Sequence, residues 1–429
     1  MTPSSRIQAA IELLDEVLST DRPADGVMSA YFRARRFFGA KDRRAVSDQV
    51  WRVLRHRARL SFALGSKAPS ARMLVMGNLV RGENKSVDSV AGLFSGAKHG
   101  PRPLSSDEKY LLDVLTKETG AEAPRAAALE CPDWLLEKFD AAFGDDADKE
   151  IAALGEEAAL DLRVNVLKST RDDVLSFLKR EGLDAQPTPL SPLGVRLPAR
   201  IALGAHEGFK SGLFEVQDEA SQICAQLVNA KPGDAVIDLC AGAGGKTLAI
   251  AAAMNNKGRI VACDVSVGRL ERSKLRLRRA GIHNATLRIL EDGDKWLKRQ
   301  AGSFDRVLVD APCSGTGAWR RNPDARWHIT PADLANLTAT QNELLDRAAP
   351  LAKPGGRLIY ATCSLLPEEN TARVEAFLGR NDKFRAVPVA EVWAEISDSP
   401  CPAAGPFLTL SPARNGTDGF FVAILERVP

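Results

Sequence analysis

Hydrophobic positions change their spacing along this chain, and each change marks a change of element. From Arg6 to about Phe143 apolar residues recur at intervals of three and four: Ile7, Ile11, Leu14 and Leu18 in one stretch, Val46, Val50, Val53 and Leu54 in another. No convincing alternating run interrupts them, so this part predicts helices only. The interval from Ser95 to Ser106, with Gly96, Gly100, Pro101 and Pro103, predicts a loop within it. A small mixed unit follows: 162–167 alternates like a strand, 172–180 predicts a short helix and 194–197 another brief strand. Beyond Val216, apolar runs at 235–239, 259–263, 285–290, 306–309 and 356–361 alternate with helical stretches. Such alternation predicts βαβ units around a parallel sheet, with 420–425 closing its edge. The patterning thus predicts a helical domain over 1–130, a small α/β connector over 131–215 and an α/β catalytic domain over 216–429.

Composition narrows the class. With 45% hydrophobic and 26% charged residues the chain is globular, and no apolar run approaches the length that spans a bilayer. The start has no signal-peptide core, so no membrane association and a cytoplasmic location are expected. The seven cysteines show no metal-finger pair spacing; no metal is expected, and free thiols suit a reducing compartment where they can be catalytic. Net charge is only +3, but residues 31–72 hold twelve Lys and Arg against Asp42 and Asp48. Basicity is therefore concentrated near the N-terminus. A second run, Arg269, Arg272, Lys274, Arg276, Arg278 and Arg279, is interrupted only by Glu271. Either run alone reads as a solvated helix face; together they favour a polyanion such as RNA.

The chemistry concentrates in two segments. Asp310-Ala311-Pro312-Cys313-Ser314-Gly315-Thr316-Gly317 and Ala361-Thr362-Cys363-Ser364 each place a cysteine just past a strand-like run, and the first adds a carboxylate. Reactive groups in α/β sheets collect outside the carboxyl ends of parallel strands, so both thiols and the acid should face one crevice. A buried apolar cysteine is the ordinary alternative for either thiol alone. Two at adjacent strand ends beside an acid point to thiolate chemistry.

The run 235–239 leads into Cys240-Ala241-Gly242-Ala243-Gly244-Gly245-Lys246-Thr247 and then a helix. Glycines here let backbone approach a ligand, and a helix N-terminus favours negative groups. Gly245-Lys246-Thr247 ends like a nucleotide-triphosphate loop, but Cys240 stands where that loop needs its first glycine. A dinucleotide site is also compatible with Asp264 ending the second strand, although Leu248 replaces the third glycine of that fingerprint. The same geometry serves S-adenosylmethionine: Asp264 would take the ribose hydroxyls and Asp292 the adenine amino group. Either acid alone also fits an ordinary polar turn.

Taken together, the motifs resemble the bacterial RNA cytosine-5 methyltransferases of the Sun/RsmB type. The resemblance rests on 239–247, on Asp310 to Gly317, on Ala361-Thr362-Cys363-Ser364-Leu365-Leu366-Pro367-Glu368-Glu369-Asn370, on Arg320-Arg321-Asn322-Pro323-Asp324 and on Thr417-Asp418-Gly419-Phe420-Phe421. Leu162-Arg163-Val164-Asn165 is similar to the family's small preceding domain, and 6–64, with Lys41-Asp42-Arg43-Arg44, to its NusB-like RNA-binding module. Ala243 departs from a frequent proline, and Asn415 from a basic or histidine residue. The resemblance implies a class I S-adenosylmethionine-dependent methyltransferase, a Rossmann-like, mostly parallel sheet with an all-α NusB-like N-terminal domain and a small α/β connector. It implies S-adenosyl-L-methionine held by Cys240, Ala241, Gly242, Ala243, Gly244, Gly245, Lys246, Asp264, Asp292 and Asp310. It also implies Cys363 as nucleophile, Cys313 in product release and Asp310 as the acid at N3, whereas DNA cytosine methyltransferases attack with the Pro-Cys thiol. Ribosomal RNA is the expected partner and the protein is expected to be monomeric; transfer RNA, or a non-catalytic assembly role on the same scaffold, are the alternatives. Arg43, Arg44, Arg320 and Arg321 are expected on RNA phosphates and Trp327 against a base or in the core.

Overall fold

The structure is a computed structural model and describes residues 1–117, 122–198, 201–291 and 293–429. Its contacts form two compact units, Met1–Glu156 with Trp319–Ile329, and Glu157–Ala318 with Thr330–Pro429. Residues 131–156 are helical and belong to the first unit, and the small sheet groups with the large one.

The first unit is built on amphipathic helices. Pro3–Leu18 starts where the Thr2 side chain accepts the Ser5 amide and Pro3 occupies the first turn, a position that lacks a backbone partner in any helix. Its Ile7, Ala10, Leu14 and Val17 meet Val46, Val50 and Val53 of Ala40–Arg55 and Leu74 and Leu79 of Ala71–Arg81. Ile11 and Leu18, on the edge of the stripe, are only partly buried. The short segment Trp319–Ile329 is held here by specific contacts. Trp319 packs on Phe139 with ring centroids 5.7 Å apart, and the buried Arg326 donates to the carbonyls of Glu130 and Leu154 at 2.8 and 3.1 Å.

The second unit contains two sheets. The smaller is antiparallel, in the order β2 (Gln186–Pro187), β3 (Gly194–Leu197), β1 (Leu160–Val164), β4 (Phe214–Val216). The helix Arg171–Arg180, begun by a capping box between Thr170 and Asp173, packs Val174 and Leu178 against Leu162, Val164, Val195 and Phe214.

The larger sheet contains β5 (Ala235–Asp238), β6 (Arg259–Asp264), β7 (Ala285–Ile289), β8 (Phe304–Asp310), β9 (Ala352–Thr362), β10 (Phe384–Val387), β11 (Leu408–Leu410) and β12 (Phe420–Arg427). Its order is β10-β12-β9-β8-β5-β6-β7, with β11 paired to β12. Strands β5 to β9 are parallel, and β12 runs antiparallel to β9. Helices cover both faces of such a sheet, which is why Leu358, Ile359, Tyr360 and Ala361 form a continuous buried run instead of alternating. The order reverses between β5 and β8. A crevice at that reversal, outside the carboxyl ends, is where ligands bind in sheets of this kind.

Candidate active site

The turn after β5 is shaped by glycines at two places. Gly244 has φ +80°, and a Cβ there would lie 2.3 Å from Ser273 Oγ, so only glycine fits. Gly242 has φ +56° but faces open space, leaving its backbone accessible from outside. The carboxylate of Asp264, at the end of β6, accepts the amides of Gly242 and Ser266 at 2.8 Å each. It thereby ties the glycine turn to the next strand, and an ionised carboxylate with two oxygens retains capacity for further donors. An open glycine cradle beside a strand-end acid fits the ribose side of S-adenosylmethionine. Asp292 lies outside the described residues.

Asp238, at the end of β5, is buried and accepts the Thr247 hydroxyl at 2.8 Å. Burial pushes its pKa up to about 7. Cys240 sits in the same turn, half-buried, with its thiol pKa raised by burial and then by the charge of Asp238.

Lys246, in the first turn of Gly245–Ala253, joins this turn to β8. Its Nζ is 2.7 Å from Asp310 Oδ2 and 4.7 Å above the Phe420 ring. The lysine side chain is 9% exposed and the aspartate 30%. Burial works against the ammonium, but the Asp310 carboxylate outweighs it and the lysine pKa ends above its ordinary value. The lysine therefore stays an ammonium around neutrality. In a nucleotide-triphosphate loop the lysine faces phosphates instead, so this engagement disfavours that alternative.

The two thiols do meet: Cys313 Sγ and Cys363 Sγ are 3.4 Å apart. Parallel pairing of β8 with β9 sets Asp310 beside Ala361, and the chain beyond each strand end brings the cysteines together. The Cys313 pKa is raised well above that of a free thiol, first by its hydrogen bond with Cys363 and then by burial.

Several residues that complete the site carried no role in the sequence reading. The Thr316 hydroxyl accepts the Leu365 amide at 2.9 Å, and Ser314 Oγ, Thr316 Oγ1 and Ser364 Oγ form a chain. Glu369 accepts from the Ser314 amide and from Gln341 at 2.8 and 3.0 Å. The C-terminal motif seals one side: the Gly419 amide donates to the Gly317 carbonyl at 2.8 Å, and a Cβ on Gly317 would fall 2.2 Å from the Gly419 carbonyl oxygen. From the smaller sheet, Arg163 donates to the Gly245 carbonyl at 2.7 Å and to Gln217. Burial lowers its pKa to about 10. Motif similarity covered these residues apart from Gln341 and Gln217, which nothing in the sequence singled out; none has a spacing that announces it.

The residues expected on RNA divide. Arg43 and Arg44 are exposed on Ala40–Arg55, with Arg43 Nε donating to the Phe38 carbonyl at 2.9 Å. Arg320 is 8% exposed within the helical unit, and its carbonyl accepts from Arg55. Arg321 and Trp327 are half-buried in the same unit. In the second basic run, Arg276 and Arg279 turn onto the buried Glu215, while Arg269, Arg272, Lys274 and Arg278 are exposed.

The strand order and the strand-end acids are those of a class I S-adenosylmethionine-dependent methyltransferase. Residues 225–426 match the model of the 16S rRNA methyltransferase RsmB/F family, and 131–203 that of the RsmF/B-like ferredoxin-like domain. The probable ribosomal RNA small subunit methyltransferase B of Synechocystis sp. is 37% identical over 301 residues, 69% of this chain and 66% of that protein. The ribosomal RNA small subunit methyltransferase B of Pectobacterium atrosepticum is 36% identical over 309 residues, 71% and 68% of the two chains. The chain thus spans about two thirds of the length of these relatives. The crystal structure of PH0851 superposes with a TM-score of 0.81 at 26% identity, covering 100% of this chain and 99% of the other. The chain belongs to the RsmB/F family of rRNA methyltransferases, and S-adenosyl-L-methionine is its cofactor.

Proposed function

We propose that the chain methylates carbon 5 of cytosine in RNA, with small-subunit ribosomal RNA as substrate, through a covalent bond between Cys363 and carbon 6. The observation that carries this reading is the 3.4 Å contact between Cys313 and Cys363 at strand ends beside the Lys246–Asp310 pair. The names of the relatives support the choice of ribosomal RNA.

Carbon 5 of cytosine is a poor nucleophile until a thiolate adds to carbon 6 and gives the ring enamine character. The contact with Cys363 and burial both favour a protonated Cys313, which supports Cys363 in the attacking role. Asp310 would hydrogen-bond or protonate N3 as electron density collects there, passing on a proton taken from the Lys246 ammonium 2.7 Å away. S-adenosylmethionine, when bound, supplies the electrophilic methyl group; Gly242, Asp264 and the turn before Lys246 would hold it. Once Cys363 is a thioether its sulfur carries no charge beside Cys313, so the part of the hold on the Cys313 proton that comes from Cys363 falls away, while burial and Glu369 remain. Cys313, after losing its own proton to solvent, then serves as base for the carbon-5 proton, and elimination of Cys363 as a thiolate from carbon 6 frees the enzyme. The target base has to leave its stack to enter the crevice. The exposed Arg43 and Arg44 supply phosphate contacts.

Incubation of the purified protein with 16S rRNA and S-adenosylmethionine, followed by bisulfite sequencing, tests the reading. A cytosine that becomes resistant to conversion only with both protein and cofactor supports it; methyl incorporation without a resistant cytosine contradicts it.

A further inference from the structure

Between the Pro-Cys loop and the Thr-Cys loop lies a fully buried carboxylate that the mechanism above does not use. Glu369 comes from the segment that follows Cys363, yet its side chain reaches the other loop. One oxygen accepts the Ser314 amide at 2.8 Å, the amide that immediately follows Cys313, and the Gln341 side chain at 3.0 Å. Its second oxygen accepts the Ser314 hydroxyl. Its own backbone is fixed in turn, because the Tyr360 hydroxyl donates to the Glu369 carbonyl at 2.6 Å. The donors gathered here, from Ser314 and Gln341, are neutral groups that orient the carboxylate.

Resting on the assignment of the cysteine pair above, we propose that Glu369 is a positioning residue. It clamps the loop that carries Cys313 onto the loop that carries Cys363, and its charge keeps the two thiols unequal.

The geometry carries the first half. Ser314 is bonded through both its amide and its hydroxyl, so the peptide that follows Cys313 can neither rotate nor slide without breaking contacts to a buried carboxylate. Leaving such a group unsatisfied is costly. Electrostatics supports the second half, since the Glu369 charge adds to the forces that disfavour a thiolate on Cys313. A negative charge in a low-dielectric interior acts on its neighbours far more strongly than one in water. An attacking thiol and a proton-holding thiol 3.4 Å apart need such an asymmetry. Without it the proton would be shared between two equivalent sulfurs, and neither would be reserved for release.

The test reads Cys313 directly, without RNA or cofactor. In a Cys363→Ala background the sulfur–sulfur contact is gone and burial and Glu369 remain. The rate of Cys313 alkylation by iodoacetamide is followed by peptide mass spectrometry across pH, with and without Glu369→Gln. Glutamine keeps an oxygen for the Ser314 and Gln341 donors but carries no charge. The alkylation midpoint should move to lower pH by about one pH unit in Glu369→Gln, whereas Glu369→Asp, which keeps the charge, should hold it high. An unchanged midpoint, or a rate raised equally at every pH, overturns the proposal, because the first shows no electrostatic link and the second only a loosened loop. A midpoint lowered equally in Glu369→Asp overturns the role of the charge. If instead the cytosine-methylation reading were wrong, the wild-type protein would leave RNA unmodified while this thiol response persisted.

Discussion

Arg163 and Gly245 join two sheets far apart in sequence: the Arg163 guanidinium, buried on β1, donates at 2.7 Å to the carbonyl of Gly245, the residue that opens the helix after the glycine turn. The neighbouring Asn165 side chain donates to the Gly212 and Ala280 carbonyls at 2.9 Å each. The small antiparallel sheet thus supports the turn that precedes Lys246, and through it the Lys246–Asp310 pair.

Asp264 is the residue on which the cofactor assignment turns most simply. Its carboxylate holds the Gly242 and Ser266 amides, so Asp264→Ala leaves those donors unmet and removes the proposed ribose acceptor. S-adenosylmethionine binding should weaken by about 1–3 kcal/mol, measured by isothermal titration calorimetry. Unchanged affinity would remove Asp264 from the site.

Arg43 and Arg44 lie on an exposed helix face of the helical unit, far in sequence from the catalytic motifs. Replacing both with Ala should weaken RNA binding and flatten its dependence on salt, because fewer counterions are released. S-adenosylmethionine affinity should not change. A parallel loss of cofactor binding would point to misfolding and not to lost phosphate contacts.

Asp238 makes a prediction about pH. Its pKa is raised by burial from 3.8 to about 7. The folded state therefore keeps a proton that the unfolded chain releases near pH 4, and stability falls as pH rises from there through about 7. Asp238→Asn imitates the protonated form. The variant should gain on the wild type between about pH 5 and about pH 8, by on the order of 3 kcal/mol at most. Thermal unfolding at the two pH values checks this, and an equal offset at both would refute it.

The larger architecture was legible because it follows from periodicity. Parallel strands covered on both faces leave continuous apolar runs, and these located β5, β6, β8 and β9, whereas β7 lies at the sheet edge and is only partly buried. Strand β9 begins at Ala352, ahead of the expected 356, because Pro354, Gly355 and Gly356 read as a turn; β8 pairs there through a register shift between Phe304 and Arg306. The short strands β2, β4, β10 and β11 have too few residues to display a period. Cys313, Cys363, Asp310 and Asp264 were visible because a functional residue just beyond a strand is a local signal. Trp319, Arg320 and Arg326 show the limit. Their neighbours in sequence belong to the catalytic motifs, but their side chains are buried in the helical unit, and no local pattern reports where an inserted segment will pack.

The contact between Cys313 and Cys363 is tested most directly by trapping the covalent complex. Labelled RNA is incubated with S-adenosylmethionine and each variant and run on a denaturing gel. Cys363→Ala should give neither methylation nor a shifted band, because no bond to carbon 6 can form. Cys313→Ala should permit attack and methyl transfer but stall before release, so that RNA stays bound and the band shifts. A shifted band in Cys363→Ala and none in Cys313→Ala would contradict the account and give the nucleophile's role to Cys313.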